Sequence, residues 1–384
     1  MQIIKGRNIN QIVYNSLKEI TTNGYRTQSR NGDVLAIYDN ELILENPKSR
    51  HLMLKGRTNN FFATLAECFW VMSGKDDIDY LSFFIPRAPL YSDDNKTWRA
   101  AYGERMYAYN QLQNIIDVFT EEGITSRRGV MSLLFPNRDT KESLKSKYNL
   151  TSTKDTPCNN WLNFFITPDK KLNLKVSQRS GDIIFGTGNI NLPEFTLLQE
   201  WMLQQLKEID KDLTLGYYHH SVTNLHLYDF NGKQGYDVLD KPQILTRDNY
   251  DNIEFPSGVN STKEFFSEFV DFISNIINYF PETSNYNSQI SLLNKIFDNH
   301  SVTRENNLLY SYAQVILAYT INKLIKIKNL NISTDVNSIT VDISRFSEEY
   351  QQAVKFNKFL NFEVFDNSDN SDNFDNSDNS KTKK

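Results

Sequence analysis

Between residues 130 and 228 the chain strings together short apolar or alternating runs, at 130–135, 161–166, 172–178, 183–185 and 217–228. Their length and period read as strands. One helical pattern interrupts them, from Asn191 as N-cap, with Pro193 and Glu194 in the first turn, to about Leu206. A long helix set among antiparallel-looking strands predicts an α+β fold with a mixed sheet, and not a regular βαβ array.

The flanking sequence is consistent with that class. Residues 12–20 read as a short amphipathic helix, and 34–38 and 41–44 as two strands joined at the turn-forming pair Asp39-Asn40. Residues 61–72 carry a strong helical pattern that stops at Ser73-Gly74. Further helices are expected at 78–84 and, after an irregular stretch through Asp93-Asp94, at 107–119. Composition shifts near 252–261, and the pattern beyond is mostly helical, at 264–279, 288–297, 307–325 and 345–359. The expected organisation is a catalytic domain over 1–251, a helical C-terminal region over 252–365 and a tail over 366–384. The tail repeats Asp-Asn-Ser with Phe374 as its apolar exception. It cannot bury enough surface to offset its ordering entropy, so disorder is expected there.

With 384 residues, 39% hydrophobic and 23% charged, the chain has material for a sizeable core. A net charge of -5 argues against general attraction to nucleic acid or anionic membrane, while leaving room for a local basic pocket. Cys68 and Cys158 lack metal-type spacing, so a reducing, cytoplasmic setting is expected rather than a disulfide framework. The polar first ten residues show no signal-peptide pattern. The apolar stretch 308–325 contains Ser311, Gln314, Thr320, Asn322 and Lys323, which suits a buried helix better than a membrane span. His219 and His220 are adjacent on a strand and point to opposite faces, so no metal site is expected from them.

The chemistry concentrates around Pro157-Cys158, a thiol on a short turn, and Gln178-Arg179-Ser180-Gly181-Asp182 twenty residues later. Positive charge lowers a thiol's pKa and makes it a nucleophile, and arginine stays charged in a pocket. Alone, Cys158 would read as a small buried hydrophobe. Arg30, Arg127, Arg128 and Arg179 can form an anion site, because paired guanidinium donors match phosphate oxygens, and Ser180 adds a hydroxyl. The adjacent Arg127-Arg128 pair by itself would be ordinary solvated surface. Glu67 shares a largely apolar helix with Leu65, Phe69 and Trp70, and a buried carboxylate there needs a reason.

Taken in order, these motifs resemble the thymidylate synthase family, including its pyrimidine-nucleotide hydroxymethylases. The matching segments are Glu67-Cys68-Phe69-Trp70 through Ser73-Gly74, Tyr102-Gly103, Ser126-Arg127-Arg128, Pro157-Cys158, Gln178 to Asp182, Asn191, and His226-Leu227-Tyr228. They cover residues 12–228, and the likeness stops beyond Asn252. The resemblance implies a mixed sheet with packed helices and a homodimer in which Arg127 and Arg128 reach the partner's phosphate. It implies that Cys158 adds to C6 of a pyrimidine nucleotide, so that C5 attacks the methylene group of methylenetetrahydrofolate. By the same resemblance Glu67 organises waters and proton transfers, and Tyr102 assists loss of the C5 proton. Arg30, Arg179, Gln178 and Ser180 belong to the nucleotide site, with His226 and Tyr228 at the sugar. Asp182 and Gly186 belong to the folate site, Asp182 at its pterin. Arg57 matches a basic position for the folate's glutamate tail, and a plain surface arginine is an equal reading. Asn191, or Asn189 if an extra loop residue shifts the register, reads the base; either is an amide and favours uracil.

Three departures bear on the product. Asn159 follows Cys158 where histidine is usual in thymidylate synthases. The region 91–98 is shortened and lacks the expected tryptophan pair, leaving Tyr91 as the nearest aromatic. The chain also continues past the family core, so the short tail that closes over the folate is expected to be missing. Hydride transfer needs water excluded. A deoxyuridylate hydroxymethylase is therefore expected, with thymidylate synthase next, then a deoxycytidylate hydroxymethylase, or a non-catalytic binding module on the same fold. The added helices, acting as a substitute lid, would reverse the first choice.

Overall fold

The computed structural model describes residues 2–58, 60–243, 252–279 and 286–328. The helix expected at 345–359 and the tail at 366–384 lie outside them. The chain opens with β1 (Gln2–Gly6) and α1 (Ile9–Asn23), then β2 (Tyr25–Ser29) and β3 (Gly32–Leu44). Next come α2 (Phe61–Ser73), α3 (Asp79–Phe84), α4 (Tyr102–Tyr107), α5 (Gln111–Glu122), β4 (Val130–Ser132), α6 (Pro136–Asp139) and α7 (Lys141–Tyr148). β5 (Asn159–Ile166), β6 (Lys171–Gln178) and β7 (Gly181–Asp182) precede α8 (Leu192–Leu206), β8 (Thr214–Tyr228) and α9 (Gly232–Asp240). Beyond them lie α10 (Val259–Tyr279), α11 (Tyr286–Asn299) and α12 (Leu308–Lys328).

The strands form one sheet in the order β1-β3-β8-β6-β5-β4, with β2 paired to β3 and β7 to β8. β1–β3, β6–β8 and β7–β8 are parallel and the remaining pairs antiparallel. The sheet is mixed, and the fold is α+β. Helices α1 and α8 pack on one face. Behind α8 lies α2, buried along its whole length, and such a helix needs protein on every side. α8 covers one side of it, and α10 and α12 another. Trp201 of α8 ties the layers together by donating its indole N–H to Thr262 of α10 at 2.9 Å. Arg50 and Glu200 make a buried ion pair in the same region.

On the sheet's other face, strand register aligns Trp161, Ser177, Ser221 and Glu41 in one row. Burial alone would raise the Glu41 pKa, but hydrogen bonds from His219, Ser221 and Lys175 lower it to about 2. Trp161 and Tyr217 remain exposed on this face.

Several boundaries differ from the sequence expectation. The two strands around Asp39-Asn40 are one continuous β3. Asp39 takes a left-handed φ of 57° without breaking the register with β8. The helix expected at 107–119 is split, because Tyr109 and Asn110 both adopt positive φ before α5 begins. The strand expected at 130–135 stops at Ser132. The 183–185 strand is absent; its place is taken by a turn after the two-residue β7. Asn191 does not cap α8 as expected: its φ of -68° and ψ of -37° are helical, it ends a π-helical turn over Thr187–Asn191 that runs into α8, and its amide is engaged elsewhere. The helix ending at Gly74, with its left-handed φ of 69°, is as expected. No helix among the described residues is long and apolar enough to cross a membrane.

Candidate active site

Cys158 sits at the entrance to β5, on a loop fixed by charge. Ala100 N–H donates to the Asp155 carboxylate at 3.1 Å, and the Arg99 guanidinium donates to the Asp155 carbonyl. Burial raises the Asp155 pKa to about 6. Arg30 donates to the carbonyls of Thr153 and Lys154 at 2.9 and 3.0 Å, which brings it to the same loop.

The strand β6 ends where this loop begins to pair. Arg179 N–H donates to the Cys158 carbonyl at 2.8 Å, and its Nε donates to the Pro157 carbonyl at 2.9 Å. One Nη reaches the Thr156 carbonyl at 3.0 Å and the Cys158 thiol at 3.5 Å. Burial pushes the thiol's pKa up, while Arg179 and then Arg30 pull it down. Two guanidiniums thus oppose the effect of burial on this thiol. Cys158 itself is half-buried and Arg179 exposed.

Tyr102, at the start of α4, turns its hydroxyl oxygen to the same strand start. It accepts from the N–H groups of Cys158 and Asn159, each at 3.2 Å. Burial raises its pKa, so the phenol stays protonated. Glu67 projects from α2 with 8% exposure, and burial raises its pKa to about 8. A carboxyl poised there can carry a proton at neutral pH.

Gln178 and Asn191 belong to a buried hydrogen-bonded chain. Gln178 donates to Asn191 Oδ1 at 2.8 Å, and Asn191 Nδ2 donates to Glu194 at 2.8 Å. Gln178 Oε1 accepts from the Thr187 hydroxyl at 2.7 Å and contacts His220 Nε2 at 3.1 Å; His220 Nδ1 lies 2.6 Å from the Tyr218 hydroxyl. Burial lowers the His220 pKa to about 3, which leaves a neutral ring with one donor and one acceptor nitrogen. Gly181 permits this approach, since a Cβ there would meet Thr187 Oγ1 at 2.0 Å. Of the two candidate amides, Asn191 is the one held in this chain. Thr187, Glu194, Tyr218 and His220 join this chain although no sequence motif marks them. Only the burial of polar types on apolar elements signalled them, and that became visible in three dimensions.

Asp182, at the end of β7, accepts from the Ile184 N–H at 2.9 Å and feels the charge of Arg57. Burial raises the Asp182 pKa to about 6 and lowers that of Arg57 to about 10. Arg57 is no surface residue: it is 7% exposed and donates to the Ile184 carbonyl at 2.6 Å and 3.1 Å. Its guanidinium stands 5.6 Å from the centre of the exposed Phe185 ring, and Gly186 follows directly. His226, paired with Asp182 in the β7–β8 register, is buried. Its Nδ1 contacts Asn224, and its Nε2 has no hydrogen-bond partner among the described residues. Tyr228 packs edge-on against the His226 ring at 4.8 Å. Ser180 is half-buried between Arg179 and Gly181.

Arg127 and Arg128 stand apart. Both are exposed, and Arg128 pairs with Glu122. Cys158 feels the cations Arg179 and Arg30 rather than this pair. Trp98 is a tryptophan of the shortened region that still packs, edge-on against Trp70 at 5.6 Å, while Tyr91 is exposed. His219 and His220 do face opposite sides of β8, and among the described residues no group of three His, Cys, Asp or Glu could hold a metal ion.

The family model described as thymidylate synthase matches residues 11–284, so the likeness does not stop at Asn252 as the motifs suggested but runs on through α10, whose packing against α2 makes it part of the same core. A deoxyuridylate hydroxymethyltransferase of Delftia phage PhiW-14 is 36% identical over 324 residues, covering 83% of this chain and 87% of that protein. A protein of the same name from Pseudomonas phage M6 is 30% identical over 60% of this chain and 62% of its own. A thymidylate synthase of Mycoplasma genitalium is 27% identical over 46% of this chain and 54% of its own. The chain is an enzyme of the thymidylate synthase family.

Proposed function

We infer that the protein transfers a one-carbon unit to C5 of dUMP and completes it with water, as a deoxyuridylate hydroxymethylase. The observation that carries this reading is the Cys158 thiol 3.5 Å from the Arg179 guanidinium, together with the buried Gln178–Asn191 amide pair, in a chain related along most of its length to the Delftia phage enzyme named for that reaction.

Methylenetetrahydrofolate would supply the one-carbon unit at the methylene level. The residues beyond β7 fit such a flat, polar heterocycle: the Asp182 carboxyl offers hydrogen-bonding oxygens, and the Phe185 ring beside Arg57 offers an exposed face. We assign Asp182, Gly186 and Arg57 to that site. Arg179, Arg30 and Ser180 would hold the phosphate, and His226 and Tyr228 the sugar.

Cys158 Sγ would bond to C6 as the thiolate, and the C5–C6 electron pair would shift toward C4–O4. Glu67, able to give and take a proton near neutral pH, would balance charge at O4. C5 would form its new bond to the one-carbon unit as that carbon's bond to one folate nitrogen gives way. Loss of the C5 proton to a water held by the Tyr102 hydroxyl, with loss of the remaining carbon–nitrogen bond, would free the folate and leave an exocyclic methylene on C5. Water would then add its oxygen to that methylene and release a proton to solvent, and the C6–S bond would break to return the thiolate. This route leaves the folate as tetrahydrofolate. Methyl formation would instead take a hydride from it and give dihydrofolate. Asn159 in place of histidine, with Cys158 half-buried and Arg179 and Phe185 exposed, supports water as the final reactant.

We also propose a twofold homodimer, in which Arg127 and Arg128 reach the partner's phosphate. Exposed Trp161 and Tyr217 on the uncovered sheet face and the two exposed arginines support it. Residues 1–251 would form the catalytic domain and 252–365 a helical region. Its described helices α10 and α12 lie against α2, the helix of Glu67, so we assign them a supporting role rather than that of a lid.

The Mycoplasma relative keeps thymidylate synthase as the second reading. Following dihydrofolate absorbance while dUMP is consumed separates the two. Turnover without dihydrofolate is expected, and dihydrofolate formed in step with dUMP loss would replace this reading by the second.

A further inference from the structure

Glu194 occupies the first turn of α8, where an acidic residue ordinarily serves the helix dipole from the surface as a charge. Here it is 1% exposed. Burial, with Glu67 nearby, raises its pKa well above the usual carboxylate range, which disfavours the charged form that would serve the dipole. A buried carboxyl needs a different purpose. Its Oε1 accepts from Asn191 Nδ2 at 2.8 Å, and its Oε2 has no hydrogen-bond partner among the described residues.

We propose that Glu194 is a positioning residue for Asn191 that sets the choice of base. Gln178 holds the carbonyl end of the Asn191 amide and Glu194 holds its N–H end. The remaining lone pair of Oδ1 and the remaining N–H of Nδ2 then face a base in fixed order. Uracil matches that order, because its N3–H donates and its O4 accepts. Cytosine presents the reverse, an acceptor at N3 and a donor at N4. Turning the amide to suit cytosine would set donor against donor at Gln178, whose own orientation the Thr187 hydroxyl fixes, and would force the Glu194 carboxyl to rotate and donate in place of accepting. Such unpaired buried groups carry strong discrimination. The inference rests on the assignment of a uracil nucleotide above.

The test uses the full chain with Glu194→Met, which keeps volume and removes the acceptor, and Glu194→Gln, which keeps an acceptor on a neutral side chain. Binding of dUMP and dCMP is measured without folate, and kcat and KM for dUMP with it. The Met variant is expected to raise KM about tenfold and to reduce the preference for dUMP over dCMP about tenfold, while Gln restores both. If Met does not fold, Glu194→Ala carries the same expectation. A Gln variant as impaired as Met would mean the proton or charge of Glu194 is what counts. Loss of kcat with KM and base preference unchanged would mean Glu194 does not position Asn191. Either result overturns the proposal. A wild-type protein preferring dCMP would instead remove the substrate assignment on which it rests.

Discussion

At the scale of single residues, the site sets a thiol that burial makes reluctant to ionise against two guanidiniums that oppose this effect. Arg179→Ala should therefore move the pH midpoint of Cys158 alkylation by iodoacetamide upward. It should also raise KM for dUMP by roughly 10- to 150-fold, the range for a charge-assisted contact worth about 1.5–3 kcal/mol. An unchanged midpoint would show that Arg179 does not tune the thiol. Glu67 gives a second expectation. Its pKa of about 8 in the folded protein lies above its ordinary 4.5. The folded state holds the proton more tightly, so this group's stabilisation is complete below the ordinary value and is lost as pH rises through the folded one. Glu194 adds a slope of the same sign. In Glu67→Gln the fall in melting temperature across that window should be shallower than in the wild type; an equal slope would place the titration elsewhere. His220 and His226, with pKa values lowered by burial, act on the acid side, where stability falls as pH drops below the ordinary histidine value.

At the scale of elements, the sequence was legible wherever a local rule decided the outcome. The apolar run of α2 closed by Gly74 and the alternating strands β5 and β6 are local patterns, and they match. The Asp39-Asn40 pair has a turn signature, yet fifteen-residue β8 pairs straight through it and overrides that local preference. Ile183 and Ile184 are apolar because they are buried in a turn, which composition cannot distinguish from a strand. The site was legible as far as its motif residues. The chain from Tyr218 through His220 and Gln178 to Asn191 and Glu194 was not, because β6, β8 and α8 meet only after the sheet forms. Arg50 and Glu200, 150 residues apart, are a further case. Arg50→Met should cost about 3–5 kcal/mol in denaturant unfolding, because Glu200 is left buried without its cation. Replacing both by apolar residues should recover most of that loss; a double variant no better than the single one would argue that packing, not charge, dominates there.

At the scale of the whole molecule, the proposed dimer makes each site depend on two chains. Cys158→Ala and the double variant Arg127→Ala/Arg128→Ala should each be inactive. Mixing them through unfolding and refolding should restore roughly a quarter of wild-type activity, because half the random dimers carry one intact site. No recovery on mixing would place the two arginines in their own subunit's site or outside catalysis. Among the described helices beyond 252, α10 and α12 back the helix of Glu67, and in this they join the core rather than the mouth of the site. The central claim is that water, not hydride, completes the product. The most direct measurement is the mass of the nucleotide made from dUMP and methylenetetrahydrofolate in water enriched in heavy oxygen. A hydroxymethyl nucleotide carrying the heavy oxygen, with tetrahydrofolate as its companion, is the expected result. A methyl nucleotide without the label, accompanied by equal dihydrofolate, would contradict it.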